Sequence, residues 1–187
     1  AIINAFNRHN LLFSAVETVY TGVFEKDVLY LDMIIMNRII DINEKNMYAV
    51  FEPYTSFAAL TNAAIKKGLR PYVIGGGPSC CPMANVTNLW GYGTTNVSAG
   101  FGGRVPLGAE WVLPNGEILH MGTLGAINEW WSGDGPGPSL RGIMRGETGP
   151  AGGLGVFTKL AIKLVPWYGP PKLETYGEPP MYKVKLP

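Results

Sequence analysis

Two glycine-dense stretches hold the residues whose types and spacing suit chemistry. The first runs from Gly75 to Gly116, GGGPSCCPMANVTNLWGYGTTNVSAGFGGRVPLGAEWVLPNG, and carries almost no charge. The second is Gly146 to Gly155, GETGPAGGLG. Glycine lets backbone N–H groups approach another molecule closely. Ser79 adds a hydroxyl, and Asn85 and Asn88 add side-chain amides. A loop of this length in a compact domain is either functional or disordered. Trp90, Tyr92 and Phe101, with the scarcity of charge, argue against disorder. The chemistry that fits is a cradle for a large, flat, anionic cofactor, whose phosphates take backbone donors.

Other reactive side chains are few. Cys80 and Cys81 are adjacent, so no disulfide framework is possible and a reducing, cytoplasmic compartment is expected. His120 follows a strand and has no second ligand at metal spacing, so it reads as a hairpin histidine and no metal site is expected. Trp130 and Trp131 read first as packing residues. Arg141 and Arg145 flank the second glycine cluster and suit either an anion or a solvated surface.

The chain has 187 residues, enough for one domain with a core, and a net charge of +1, which gives no reason to expect nucleic acid. The 25 glycines and 15 prolines are an excess that sits in loops and follows no Gly-X-Y period. No apolar run is long enough to span a bilayer.

The elements that must position these loops can be read in order. Ile2 to Asn10 has a helical apolar face, and Leu11 to Phe13 is a short strand. Ser14 to Glu25 reads as an irregular connection. Val28 to Asp32, Met36 to Ile42 and Met47 to Glu52 read as strands, with turn signals that suggest antiparallel pairing. Thr55 is expected to cap a helix from Ser56 to Lys67 with a stripe of Phe57, Leu60, Ala64 and Ile65, ended by Gly68. Tyr72 to Ile74 is a short strand. Ala109 to Leu113 and Glu117 to His120 form a hairpin over Pro114-Asn115-Gly116. Gly122 to Pro138 reads as irregular, Ser139 to Arg145 as one or two helical turns, and Val156 to Leu164 as an alternating strand stopped by Pro166.

Four pieces in this order resemble the FAD-binding domain of the vanillyl-alcohol oxidase / p-cresol methylhydroxylase family, the PCMH-type flavoproteins. They are LDMIIMNRIIDINEKNMYAVFEPYTSFAAL, NVTNLWGYGTTNVSAGFG, LGAEWVLPNGEILHMG and GETGPAGGLGVFTKLAIKLVP. The resemblance implies an α+β fold: two small β-sheets with flanking helices, FAD lying between two subdomains. It implies a first subdomain at 1–74, a second with the flavin loops at 75–166, and a linker at 167–187. A first helix and strand would precede Ala1, and a substrate cap would follow Pro187. Ser79, Cys80, Cys81, Ala84, Asn85 and Asn88, continued by Gly91 and Gly93, would pass the pyrophosphate and flavin. Thr94, Thr95, Ser98 and Gly100 would pass the ribityl and pyrimidine side. Gly153, Leu154, Gly155 and Val156 would reach the adenine or ring edge.

The sequence departs from the family pattern in places. The first phosphate loop, usually glycine-rich, is here Ser14 to Gly22 with an acid at Glu17, and Tyr54 replaces a glycine. No His lies between His9 and His120 to link a flavin covalently. Cys81-Pro82 matches a cysteinyl-link motif, but nothing basic is nearby to activate the thiol, so non-covalent FAD is expected. Asn96 to Ala99 lacks the acid of phenol-oxidising members. The implied activity is an FAD-linked oxidase or dehydrogenase, with hydride passing from a small hydroxy acid or alcohol to flavin N5. No catalytic residue is named, because the base would sit in the cap. Partners would be that substrate, an electron-acceptor protein or iron–sulfur subunit, and further subunits of an oligomer or complex. The alternative is an electron-transfer or structural FAD subunit of a larger complex.

Overall fold

The computed structural model describes residues 1–16, 26–72, 77–87, 97, 105–132 and 155–172. The fold is α+β. In chain order the elements are α1 Ile2–Arg8, β1 Leu12–Val16, β2 Val28–Asp32, β3 Ile39–Asn43, β4 Tyr48–Phe51, α2 Phe57–Ile65 and β5 Leu69–Pro71. There follow α3 Pro82–Thr87, β6 Pro106–Val112, β7 Ile118–Met121, α4 Thr123–Ile127 and β8 Val156–Pro166. β1 and β2 form a two-stranded sheet. The other six strands form the second sheet, in the order β3-β4-β8-β6-β7, with β5 also on β8. That sheet draws strands from both sides of residue 74.

β8 is the spine. Its 11 residues pair antiparallel with β4, β6 and β5 in turn. Its burial is not the clean alternation expected of a half-exposed strand. Phe157, Leu160, Ile162 and Leu164 enter the main core, while Ala161 packs with Tyr48, Val50 and Leu107 in a second cluster. A central strand covered on both faces reads as a near-continuous apolar run.

The expected α2 stripe is buried in full, with Phe57, Leu60, Ala64 and Ile65 all at 2% exposure or less. The cap is Ser56 rather than Thr55: its Oγ accepts from Ala59 N–H at 3.2 Å. Thr55 is instead buried and donates its hydroxyl to the Arg38 carbonyl. The expected hairpin forms, with β6 antiparallel to β7. Gly116 N–H donates to Leu113 O, and the Asn115 side chain accepts from Glu117 N–H.

Four further expectations need correction. Of the strands expected to pair antiparallel, β3 and β4 do so, but β2 instead pairs parallel with β1, Leu12 opposite Val28 and Val16 opposite Asp32. Ser14 to Val16 belong to β1, not to a connection. Short apolar runs do not encode pairing direction, and the long link between these strands lets the chain return for a parallel partner. The third correction is α3, which lies inside a stretch read as loop, and α4, inside one read as irregular. α3 did have a signal: Pro82 at its first position and Met83 and Val86 on one face. Of the expected strand Tyr72 to Ile74, the strand lies earlier, at Leu69–Pro71, and Val73 and Ile74 lie outside the described residues. So does Ser139 to Arg145.

The main core joins α2, α3 and the large sheet around Phe51, Leu60, Met83, Trp111 and Leu160, with Trp111 stacked on Phe157 at 4.7 Å. A third cluster of Ile3, Met33 and Val156, flanked by Phe13, Leu31 and Val112, joins α1 and the small sheet to the large one. Leu160 is fully buried on the spine. Leu160→Ala is expected to cost about 2–5 kcal/mol, measured by denaturant unfolding; a cost below about 1 kcal/mol would remove β8 from its central place.

Candidate functional site

The start of a helix has N–H donors with no partner inside the helix. In α2 three of them are satisfied, two by the glycine-dense loop. Phe57 N–H donates to Cys80 O at 2.8 Å, and Ala58 N–H donates to Pro78 O at 2.9 Å. Ala59 N–H goes to the Ser56 cap. The loop segment Gly77 to Cys81 is therefore tied to α2. It closes on itself through Cys80 N–H to Gly77 O at 3.3 Å.

From this tether the chain enters α3. Cys81 O accepts from Asn85 N–H and from Asn85 Nδ2 at 3.2 Å. Thr87 Oγ1 donates to Met83 O at 2.8 Å. Asn85 and Thr87 are among the few buried polar side chains, each 2% exposed. Cys81 is equally buried, Cys80 is partly buried, and no disulfide joins them. Buried Cys81 behaves as a small apolar side chain.

Behind α2 sits a second clamp. Glu52 is buried in a turn, and both its oxygens engage Arg38. Arg38 NH2 donates to Glu52 Oε1 at 2.6 Å, and Arg38 backbone N–H donates to Oε2 at 2.9 Å. Glu52 N–H returns a bond to Arg38 O, and Tyr54 N–H bonds Met36 O. This zips Met36 to Arg38 onto Glu52 to Thr55, just ahead of the α2 cap. The Arg38 side-chain hydrogen bonds hold the Glu52 carboxyl below the usual carboxylate range; burial opposes them and is outweighed. The guanidinium, itself raised by the same bonds, stays 76% exposed against 3% for the carboxylate. The sequence had no periodic signal for this pair, whose members lie 14 positions apart.

The second glycine cluster enters the described structure at Gly155. Its φ is +93°, and a Cβ there would collide with Val112 O. Glycine is thus needed for the close packing of β8 on β6. Val156 is buried in the third core cluster. Of the expected site residues, Ser79, Cys80, Cys81, Ala84 and Asn85 come together at the α2 and α3 junction, and Gly155 and Val156 lie at the start of β8. Asn88, Gly91, Gly93, Thr94, Thr95, Ser98, Gly100, Gly153 and Leu154 lie outside the described residues, as does most of the first phosphate loop with Glu17.

His120 sits on β7, its Nε2 3.4 Å from Glu110 Oε2. Burial pushes the Glu110 carboxyl up, but Thr158, Lys159 and His120 together hold it lower than usual. Thr158 Oγ1 donates at 2.7 Å and Lys159 Nζ at 3.0 Å, so this carboxylate is satisfied within the sheet. Trp130 packs on the second cluster, while Trp131 is 48% exposed.

The sequence matches the FAD binding domain family over residues 1–122, and the chain belongs to that family. No curated protein matches it. Solved structures share its fold. A 4-ethylphenol oxidase from Gulosibacter chungangensis, in complex with isoeugenol, is 23% identical with a TM-score of 0.71, covering 88% of this chain and 32% of its own. A p-cresol methylhydroxylase with substrate bound is 23% identical with a TM-score of 0.70, covering 89% and 33%. A 6-hydroxy-D-nicotine oxidase from Arthrobacter nicotinovorans is 22% identical with a TM-score of 0.69, covering 88% and 33%. The chain thus spans about a third of the length of the solved structures it matches. It is a vanillyl-alcohol oxidase / p-cresol methylhydroxylase type FAD-binding fold.

The donor set fits FAD. From Gly75 to Val105 the sequence holds no acid, so nothing in that loop repels a pyrophosphate. Ser79 is exposed with its hydroxyl, and Gly77, at φ +85°, has open space beside it. The N-terminus of α2 is already occupied by loop carbonyls, so it shapes the seat rather than contacting phosphate itself.

Glu52 titrates lower folded than unfolded. Its stabilising contribution is complete above the ordinary carboxylate value of about 4.3 and is lost as pH falls through the lower folded value. Arg38→Ala strands a buried carboxylate, whereas Glu52→Gln frees a guanidinium that water already reaches. At neutral pH, Arg38→Ala should lower the thermal midpoint more than Glu52→Gln, and its deficit should shrink on acidification. Equal or reversed costs in melting curves would refute this account of the clamp.

Proposed function

We propose that the chain is the FAD-binding part of an FAD-linked oxidase or dehydrogenase acting on a small organic substrate, a hydroxy acid or alcohol. The observation that carries this reading is the tether of Pro78 and Cys80 to α2, which pre-sets the small-residue segment Gly77 to Cys81 in a member of the FAD binding domain family. Holding that loop in place before the cofactor arrives lowers the ordering cost of binding. Ser79, with backbone groups of Gly77 to Cys81 and the Gly155 turn, would hold the cofactor between segments 1–74 and 75–166, while buried Asn85 orders the loop through Cys81 O. When bound, FAD supplies hydride acceptance at N5. The protein's part is to bind the dinucleotide and orient it.

Phenol oxidation is disfavoured for this chain. The phenol-directed names belong to neighbours alike in fold alone, and Asn96 to Ala99 carries no acid. FAD is proposed to be held non-covalently, since Cys81 is 2% exposed inside the α2 and α3 junction. Among the described residues, no helix is long and apolar enough to cross a membrane.

A second reading is favoured by Ile127, at the end of α4, and Trp131, four positions on, which are 59% and 48% exposed. Such exposed apolar side chains suit an electron-transfer or assembly subunit that docks on an acceptor protein or iron–sulfur subunit of a larger complex.

The purified protein should show flavin absorption at about 450 nm, and acid precipitation should leave the flavin in the supernatant. A colourless protein that takes up no added FAD would overturn the proposal; flavin in the pellet would overturn its non-covalent part. Bleaching by a hydroxy acid or alcohol in the absence of oxygen favours the enzyme. Reduction only by a partner protein favours the second reading.

A further inference from the structure

At the end of β8 remote from Gly155, the chain leaves the sheet through Val165, Pro166, Trp167, Tyr168 and Gly169. With Arg70 and Tyr72 these residues line a recess of about 450 Å³. Ligand pockets span roughly 300–1,000 Å³. Gly155 and Pro166 bracket the whole of β8, so this recess lies about 30 Å along the strand from the Gly155 turn.

Trp167 is one wall, and hydrogen bonds from its backbone and its indole fix it. Its backbone N–H donates to Gly68 O at 2.8 Å, and its indole Nε1 donates to Pro170 O at 2.7 Å. Gly169 lies so close to the ring that a Cβ there would collide with it. The Arg70 guanidinium stands over the indole, 6.0 Å from its centroid. Trp167 belongs to none of the three core clusters, so packing of the interior does not account for this fixation.

Arg70 is only half-buried, and among the described residues its guanidinium pairs with no carboxylate. Tyr168, 94% exposed, and Tyr72 complete an aromatic surround. A fixed indole beside an arginine whose fork is left to solvent presents two matched features. The aromatic lining takes a flat π-system, and the fork takes a carboxylate through paired N–H donors.

We propose that this recess binds a flat aromatic carboxylate. The site is separate from the flavin seat and does not depend on FAD chemistry. The ring of the ligand lies among Trp167, Tyr72 and Tyr168, and its carboxylate faces Arg70.

The test titrates the FAD-saturated protein with 2-naphthoate and with the neutral 2-naphthamide, by calorimetry. Naphthoate should bind saturably, with the amide about tenfold or more weaker, as expected for losing hydrogen bonds to a charged partner. Arg70→Gln should erase that difference and leave amide binding unchanged. Trp167→Ala should weaken both ligands. Gly169→Ala, which displaces the ring from outside the core, should do the same with the circular dichroism spectrum and flavin absorption retained. Absence of saturable naphthoate binding in the millimolar range, or an Arg70→Gln protein that still prefers the acid, would overturn the proposal.

Discussion

Two backbone amides at the start of α2 reach out of their own helix and hold the carbonyls of Pro78 and Cys80. A helix cannot use these donors itself, and leaving them buried without partners costs free energy. The sequence meets that demand from a distant loop rather than from side chains alone. As a result, the stretch most dense in small residues, which would otherwise be costly to order, is fixed at one end by a rigid element. α3 extends the fixed part, because Asn85 caps the Cys81 carbonyl a second time and Met83 and Val86 sink into the core.

Everything else supports that junction. The Arg38 and Glu52 clamp fixes the turn from which α2 departs, so the direction of its N–H groups is set by a buried carboxylate and its neighbour. β8 supplies the floor. It pairs with strands from before the loop, β4 and β5, and from after it, β6. Its far end carries the fixed indole of Trp167, and its near end the Gly155 turn, so one strand spaces two surfaces of different chemistry.

Local features were legible where local physics governs. The Pro114-Asn115-Gly116 hairpin and the α2 stripe follow from turn chemistry and a helical period, and both stand as expected. The cap slipped by one residue, from Thr55 to Ser56, because both are good caps and only the contact of Thr55 with the Arg38 carbonyl distinguishes them. α3 escaped notice because glycine and serine around it masked a short apolar spacing. The parallel pairing of β1 with β2 had no local signature at all, since strand direction depends on where a connection returns. Likewise nothing near Arg38 announces Glu52; burial creates the need for the pair, and burial is a property of the folded chain.

By itself the sequence determined the composition of the loops, the absence of acid along Gly75 to Val105, the α2 stripe, and the four ordered pieces that resemble a flavoprotein family. Those are properties of residue type and short spacing, which the chain carries whether or not it is folded. The tertiary structure alone decided that Gly155 is demanded by Val112, that α2 spends its first donors on the loop, and that Arg70 meets Trp167. Each of these joins residues far apart in the chain, and such contacts exist only once the strands of β8 and its neighbours have settled into register.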